Sequence, residues 1–398
     1  MTRTALVALL ACAAAGTPVV RARTPESRPM QDPAAASLTD LQRRVAPAVA
    51  RALSFQARSQ AEDGGWPGPM EASDPAITAL VARTFIQHPA FGPGHVISRR
   101  AIDLVLRFRQ PDGGIYDPRL GYLNYTSSLA LMALAATGLP AHRERIIELR
   151  DFLLANQWVE GKTDDRGNPV DPAHPWYGGA GYGEHKRPDL SNTHMMLEAL
   201  RAGGLPPDHP GFRKALRFVS RCQMLGTSND QPFARAAADG GFIYSPANGG
   251  ESKAGTTTSP EGDRLRSYGS MTYAGFMSMI YADVSRDDPR VVAAWDWIRG
   301  NYTLKHNPNM PGRQSIQGLY YFYHVFAKAL NAWGEPFVVE PGGARHDWRE
   351  DLCAELLARQ RPDGSWVNDA DRWMEGNPHL VTAYSVLALQ IATGQARP

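Results

Sequence analysis

Cysteine is scarce in this chain. There are three in 398 residues, at positions 12, 222 and 353, too few for a fold stapled by disulfides. Cys222 and Cys353 fall on outer helices that are not neighbours, so two separate buried thiols are expected. Charge of one sign is also lacking. The formal net charge is +2, and the basic residues are scattered rather than gathered into a stripe, which argues against nucleic acid as a partner. The apolar stretch 5–15 (ALVALLACAAA) is too short to span a bilayer. Glycine-rich phosphate loops, a serine nucleophile elbow and a His-Glu-x-x-His motif are all missing. No cofactor and no metal are expected.

What is present begins with an export signature. Arg3 supplies a positive n-region, 5–15 an apolar h-region, and small residues follow, so residues 1–22 read as a signal peptide. The mature protein is then exported, periplasmic or extracellular. Membrane association arises only if Cys12 is lipidated. Residues 23–39 read as a flexible linker, and 40–398 as the folded domain.

One stretch organises that domain. Gln60-Ala61-Glu62-Asp63-Gly64-Gly65-Trp66 returns as Gln110-Pro111-Asp112-Gly113-Gly114-Ile115 and as Gln360-Arg361-Pro362-Asp363-Gly364-Ser365-Trp366. Asp-Gly-Gly makes a sharp turn, because glycine accepts positive φ at no steric cost. The aromatic after it can pack back on the helix just ended. Read as helix pairs around such turns, the chain gives six units of about 58 residues. The pairs are 40–60 with 75–87, 97–110 with 124–137, 141–157 with 189–202, 209–223 with 268–282, 288–301 with 317–333, and 345–360 with 378–393.

The two helices of a pair differ. First helices are charged, as in Arg143-Glu144-Arg145. Second helices are small, apolar and aromatic nearly all round, as in 127–136 (SSLALMALAA), and a helix of that kind is buried on every side. The expected fold is therefore all-α, an (α/α)6 toroid of six helical hairpins, with the second helices as an inner ring.

In such a ring all outer-to-inner loops lie on one face, together with the inner-helix N-termini. The two longest loops, 158–188 and 224–267, are of this type, and long loops on one face mark a site. The candidate acid–base residues are His185 and Asp189, with Glu251 and His324. Asp189 also suits an N-cap, and with Glu251 it would form a carboxylate pair of the glycosidase kind. The candidate ligand-contacting residues are Tyr182, Asn192, Tyr244, Tyr268, Tyr273, Tyr321, Asp371, Trp373 and Glu375. Asn192, His194, Arg266, Tyr268 and Tyr273 are also the residue types that neutralise a uronate and abstract its proton.

Gln, a short spacer, Asp-Gly-Gly or Asp-Gly-Ser and an aromatic resembles the QW repeat of squalene–hopene and oxidosqualene cyclases, whose α/α toroid is shared by protein prenyltransferase β-subunits. The resemblance covers about 51–398. It implies a terpenoid cyclase/prenyltransferase-like toroid with a central cavity for an isoprenoid or other apolar ligand. The cyclase acid motif Asp-x-Asp-Asp is incomplete: Asp369-Ala370-Asp371-Arg372 is the nearest match, and Arg372 would hold Asp371 ionised on the cavity rim. The prenyltransferase zinc spacing occurs at Asp351-Leu352-Cys353, but within an outer helix. Three classes stay open: a cyclase-type enzyme, a glycan lyase or hydrolase on the same toroid, and a non-catalytic binding scaffold. The partner in each case is a small-molecule or glycan ligand in the cavity. The oligomeric state is left open.

Overall fold

The computed structural model describes residues 33–183, 186–259 and 262–395. The signal segment, linker residues 23–32 and His185 lie outside them. Among the described residues twelve α-helices run in order: α1 (Pro33–Arg58), α2 (Pro75–Gln87), α3 (Val96–Arg107), α4 (Leu123–Thr137), α5 (Arg143–Asn156), α6 (Leu190–Ala202), α7 (Pro210–Cys222), α8 (Gly269–Tyr281), α9 (Pro289–Gly300), α10 (Leu319–Trp333), α11 (Trp348–Arg359) and α12 (Pro378–Ala392). α1 begins at Pro33, inside the stretch read as linker.

The even-numbered helices form the inner ring. Each packs on the next even one, and α12 packs back on α2, so the ring closes. The odd helices lie outside, with α1 against both α11 and α12. All but one residue of α2 is buried, and all but two of α12, as expected of helices apolar all round. The toroid is therefore closed rather than an open superhelix.

The repeated turns explain the geometry. Asp63 Oδ1 accepts the Gly65 N–H at 3.0 Å, and Asp112, Asp239 and Asp363 do the same two residues on at 2.9 Å. Gly64 (φ +99°) and Gly364 (φ +95°) sit in the left-handed region, and a Cβ there would lie 2.4 Å from the Arg100 carbonyl oxygen or 2.5 Å from that of Arg51. Trp66 and Trp366 turn back as expected, each indole N–H donating to the helix just ended, at Gln56 O (2.9 Å) and Leu356 O (2.8 Å).

At four outer-helix ends a glutamine is a two-way tie. Gln60 Nε2 donates to Gly64 O and to Ile97 O on the next outer helix. Gln157 and Gln223 repeat this at Gly178 and Gly211, and at Gly240 and Arg290. Gln360 donates to Gly364 O and Ala48 O, which ties the last unit to the first. A hydroxyl on each of five inner helices accepts the N–H that follows the turn: Thr78, Ser127, Thr193, Thr272 and Thr382.

Among the described residues three two-stranded antiparallel pairs, β1 (Gln223–Leu225) with β2 (Ala238–Phe242), β3 (Thr256–Ser259) with β4 (Gly262–Leu265), and β5 (Phe337–Val339) with β6 (Arg345–Asp347), decorate the loops. Sequence periodicity missed them because strands of three to five residues carry too few alternations. Cys222 and Cys353 are buried free thiols. Among the described residues no helix is long and apolar enough to cross a membrane.

Candidate functional site

The long loops meet on one face, where the inner helices begin. The Ser245 hydroxyl donates to Pro188 O at 2.7 Å, and the Leu190 N–H to Tyr244 O at 2.8 Å. Arg187 pairs with Glu251 and lies over the Tyr244 ring. Segments 186–190 and 244–251 therefore lie together on this face of the ring.

Asp189 caps α6. Its carboxylate accepts from the Asn192 N–H (2.9 Å), the Asn192 amide (2.9 Å) and the Ser191 hydroxyl (2.8 Å). The side chain is sealed, at 1% exposure. Burial pushes its pKa above the usual carboxylate range, against these hydrogen bonds and one from Tyr244. Tyr182, Tyr244, Tyr268 and Tyr321 all sense its charge. Asn192 in turn accepts from the Asn124 amide on α4 at 3.0 Å.

Deeper along the ring axis, the Tyr125 and Tyr384 hydroxyls are 2.7 Å apart. Tyr384 contacts Tyr321 edge-on, with centroids 6.1 Å apart, and lies tilted against His324 at 5.3 Å. Tyr125 and Tyr321 keep some solvent-accessible surface, although burial pushes the Tyr125 pKa up to about 12. The Tyr321 hydroxyl and His324 Nδ1 are buried with no hydrogen-bond partner.

Several expected site residues take other roles. Glu375 is a borrowed helix cap: α10 has Gly318 at its N-cap, with no capping side chain of its own, and Glu375 Oε1 accepts the Tyr321 N–H at 2.8 Å while Oε2 accepts from Asn368 at 2.6 Å. Burial nevertheless pushes its carboxyl up to about 7. Tyr273 packs between α8 and α10, against Phe322 and Phe326 in the core and not in the mouth. Glu251 is clamped by Arg187 and Lys253, a poor partner for a two-carboxylate mechanism. Asp371 is exposed on the rim but unpaired with arginine: Arg372 donates to Gln317 at 3.1 Å and stacks on Trp373. Trp373 is 39% exposed, in the left-handed region at φ 59°, and packs by Gly318. His324 lies inside the ring rather than on its rim. Arg266 donates to Asn309 and Thr256 at the foot of the β3–β4 hairpin.

The structure adds residues that sequence reading passed over. Arg83, Glu198 and Lys328 are charged and nearly buried on three inner helices, and Lys328 Nζ donates to Glu198 at 2.6 Å. Arg83 and Lys328 are each a lone charge in an apolar helix, and Glu198 shares α6 only with Arg201 near its end, which was the available signal. On the opposite, short-loop side a hollow of about 530 Å³ between α4 and α5 is lined by residues including Leu134, Leu139, Arg143, Ile146 and Arg150. It contains no carboxylate or histidine, so the acid–base groups of the mouth lie elsewhere. No metal-holding cluster occurs among the described residues.

Neither a protein-family model nor a curated protein matches the chain. Solved structures do. Type II terpene cyclase MstE from Scytonema, in complex with merosterolic acid A, matches at TM-score 0.54 and 15% identity over 90% of this chain and 99% of that one. The chain has the terpene-cyclase toroid fold. The same cyclase with geranylgeranyl dihydroxybenzoate as substrate matches at 0.52 and 14% over the same shares. A protein from Actinoplanes matches at 0.50 and 20%, over 87% of this chain and 99% of that one. A glycosidase structure is also similar, at TM-score 0.49 and 13% identity over 91% and 99%.

Proposed function

We propose that the ring mouth binds an apolar ligand carrying few hydrogen-bonding groups, of the isoprenoid kind, with the sealed Asp189 as its acid–base group acting through the Tyr244 hydroxyl that bonds it. The observation that carries this reading is the Tyr321 hydroxyl: buried and without a protein partner, on a side chain that keeps some solvent-accessible surface and meets Tyr384 of the Tyr125–Tyr384 pair edge-on. Buried polar groups are nearly always satisfied, so an orphan hydroxyl on a partly solvent-touched side chain suits a ligand oxygen or a displaceable water. Aromatic walls with a few placed polar groups suit such a ligand.

Asp189 supports the chemical half of the reading. A carboxyl raised by burial exchanges a proton nearer neutral pH than an ordinary aspartate, as acid–base work requires. The Arg187 and Lys253 clamp on Glu251 disfavours a glycosidase-type pair. The cyclase family's acid position, matched by Asp371, is exposed here and has no aromatic enclosure except Trp373 at its side. Export from the cell, carried by residues 1–22, belongs to the same proposal.

The test is thermal denaturation of the mature protein with a panel of isoprenoid alcohols and neutral oligosaccharides. A ligand that binds only the folded state raises the melting temperature. Isoprenoids should raise it, and Tyr321→Phe should weaken that response about tenfold in ligand concentration, from loss of one hydrogen bond. A response to oligosaccharides alone, or to neither class, overturns the reading.

A further inference from the structure

Below the tyrosines, the ring axis holds a charge group that the mouth chemistry does not use. Lys328 Nζ on α10 is 2.6 Å from Glu198 Oε2 on α6. Arg83 Nη2 on α2 is 3.9 Å from Glu198 Oε1. His194 Nε2 is 3.8 Å from Glu198 Oε2, and its Nδ1 is 3.3 Å from the Ser278 hydroxyl. His324 lies between this group and Tyr384, close enough to sense Lys328, Arg83 and His194.

The charges do not balance. Burial drives His194 down to about 4 and His324 well below its usual range, so both imidazoles are neutral. Two cations then face one carboxylate. Burial brings Lys328 down to about 8 even with Glu198 beside it, and Arg83 pushes the same way. The guanidinium of Arg83 is poorly served: its Nη1 reaches only the Met132 sulfur at 3.5 Å, and its Nε has no acceptor. An arginine offers five donors, and burying it with so few partners is costly. A second anion would correct both the charge and the donor count.

We propose that Arg83 and Lys328 form an anion site inside the ring, which takes the carboxylate or phosphate head of a ligand whose apolar body lies among the tyrosines of the mouth. The apolar body rests on the reading given above. The anion site rests on its own charge and donor count. Arginine matches such oxyanions with a planar fork, and lysine adds a point charge. Glu198 holds the two cations in place when the site is empty and lets go of part of their charge when it is filled.

Matched probes separate the two ideas. Isothermal titration would compare a fifteen-carbon isoprenoid alcohol with its carboxylic acid and its monophosphate, and inorganic phosphate alone would be followed by melting temperature. The acid, the phosphate or both should bind at least about tenfold more tightly than the alcohol, the difference of one charge-assisted contact, and the better of the two names the head group. Arg83→Gln, which leaves the Lys328–Glu198 pair intact, should reduce that preference to within about twofold while alcohol binding is unchanged. The double variant Lys328→Met/Glu198→Gln should do the same, and Arg83→Gln alone decides the matter if the double variant does not fold. Equal binding of all three probes, or a preference that survives Arg83→Gln, overturns the anion site and leaves the apolar mouth standing. Stabilisation by inorganic phosphate that Arg83→Gln abolishes, with no isoprenoid bound, keeps the anion site and overturns the mouth reading. No response to any probe overturns both.

Discussion

Glu375→Gln should make this protein more resistant to denaturant at alkaline pH. Glu375 is 1% exposed and caps α10 from another repeat. Two effects compete. Burial disfavours the charged form, while N–H groups at the start of α10 and the Asn368 amide favour it. Burial prevails, lifting the carboxyl from 4.5 to about 7. At ~1.4 kcal/mol per pKa unit, that shift corresponds to about 3 kcal/mol. The sign follows from proton binding. Between pH 4.5 and 7 the folded protein holds a proton that the unfolded chain has released, so the Glu375 contribution to stability falls as pH rises through this window and stays low above it. Glutamine carries no charge to bury, at the cost of about 1 kcal/mol where an amide NH2 must face one of the two donors. Urea unfolding of both proteins at pH 5, 6, 7 and 8.5 measures the difference. The other buried carboxyls raised by burial, Asp74, Asp189 and Asp239, are common to both proteins and cancel. The variant should gain about 3 kcal/mol relative to the parent between pH 5 and 8.5, ending about 2 kcal/mol more stable. A difference that stays flat with pH, or moves the other way, would refute the reasoning and show that the helix N-terminus, not burial, controls this carboxyl.

Gln360→Ala removes the bond from its amide to Ala48 O in the first unit and the one to Gly364 O in its own turn and should cost about 1–3 kcal/mol in urea unfolding. Gly364→Ala should cost more than Gly343→Ala, because only the former places a Cβ against backbone, 2.5 Å from Arg51 O; a circular-dichroism melt compares them. Asp189→Ala should lose about 0.5–2 kcal/mol as a cap and also abolish any isoprenoid-induced thermal shift, whereas Asp371→Asn, on the exposed rim, should stay within about 0.5 kcal/mol and leave the shift intact. Cys222 and Cys353, both buried with thiols that burial pushes up, should react with a thiol reagent only after denaturation.

Local chemistry was enough to predict the repeat. Asp63, Asp112 and Asp363 each close their own turn within two residues, so the pattern is legible wherever the residues stand in order. The ring also followed from the sequence, because apolar residues on every side of the second helices require burial on every side. Even Asp189 as a cap was readable, since its partners are three residues away. The copies at Gln157 and Gln223 were harder to see, because long insertions separate each glutamine from its turn by 21 and 17 residues.

What only the tertiary structure decided are the pairings between helices far apart in the chain. Glu375 caps a helix that begins 56 residues earlier, so no local motif announces it. Tyr273 and Tyr321 look alike in sequence, yet helix rotation sends one into the core and leaves the other at the mouth. Glu198 and Lys328 are 130 residues apart. Each alone reads as a flaw in an apolar helix. A buried charge is tolerable only beside its counter-charge, and it is the closing of the ring that brings the two together.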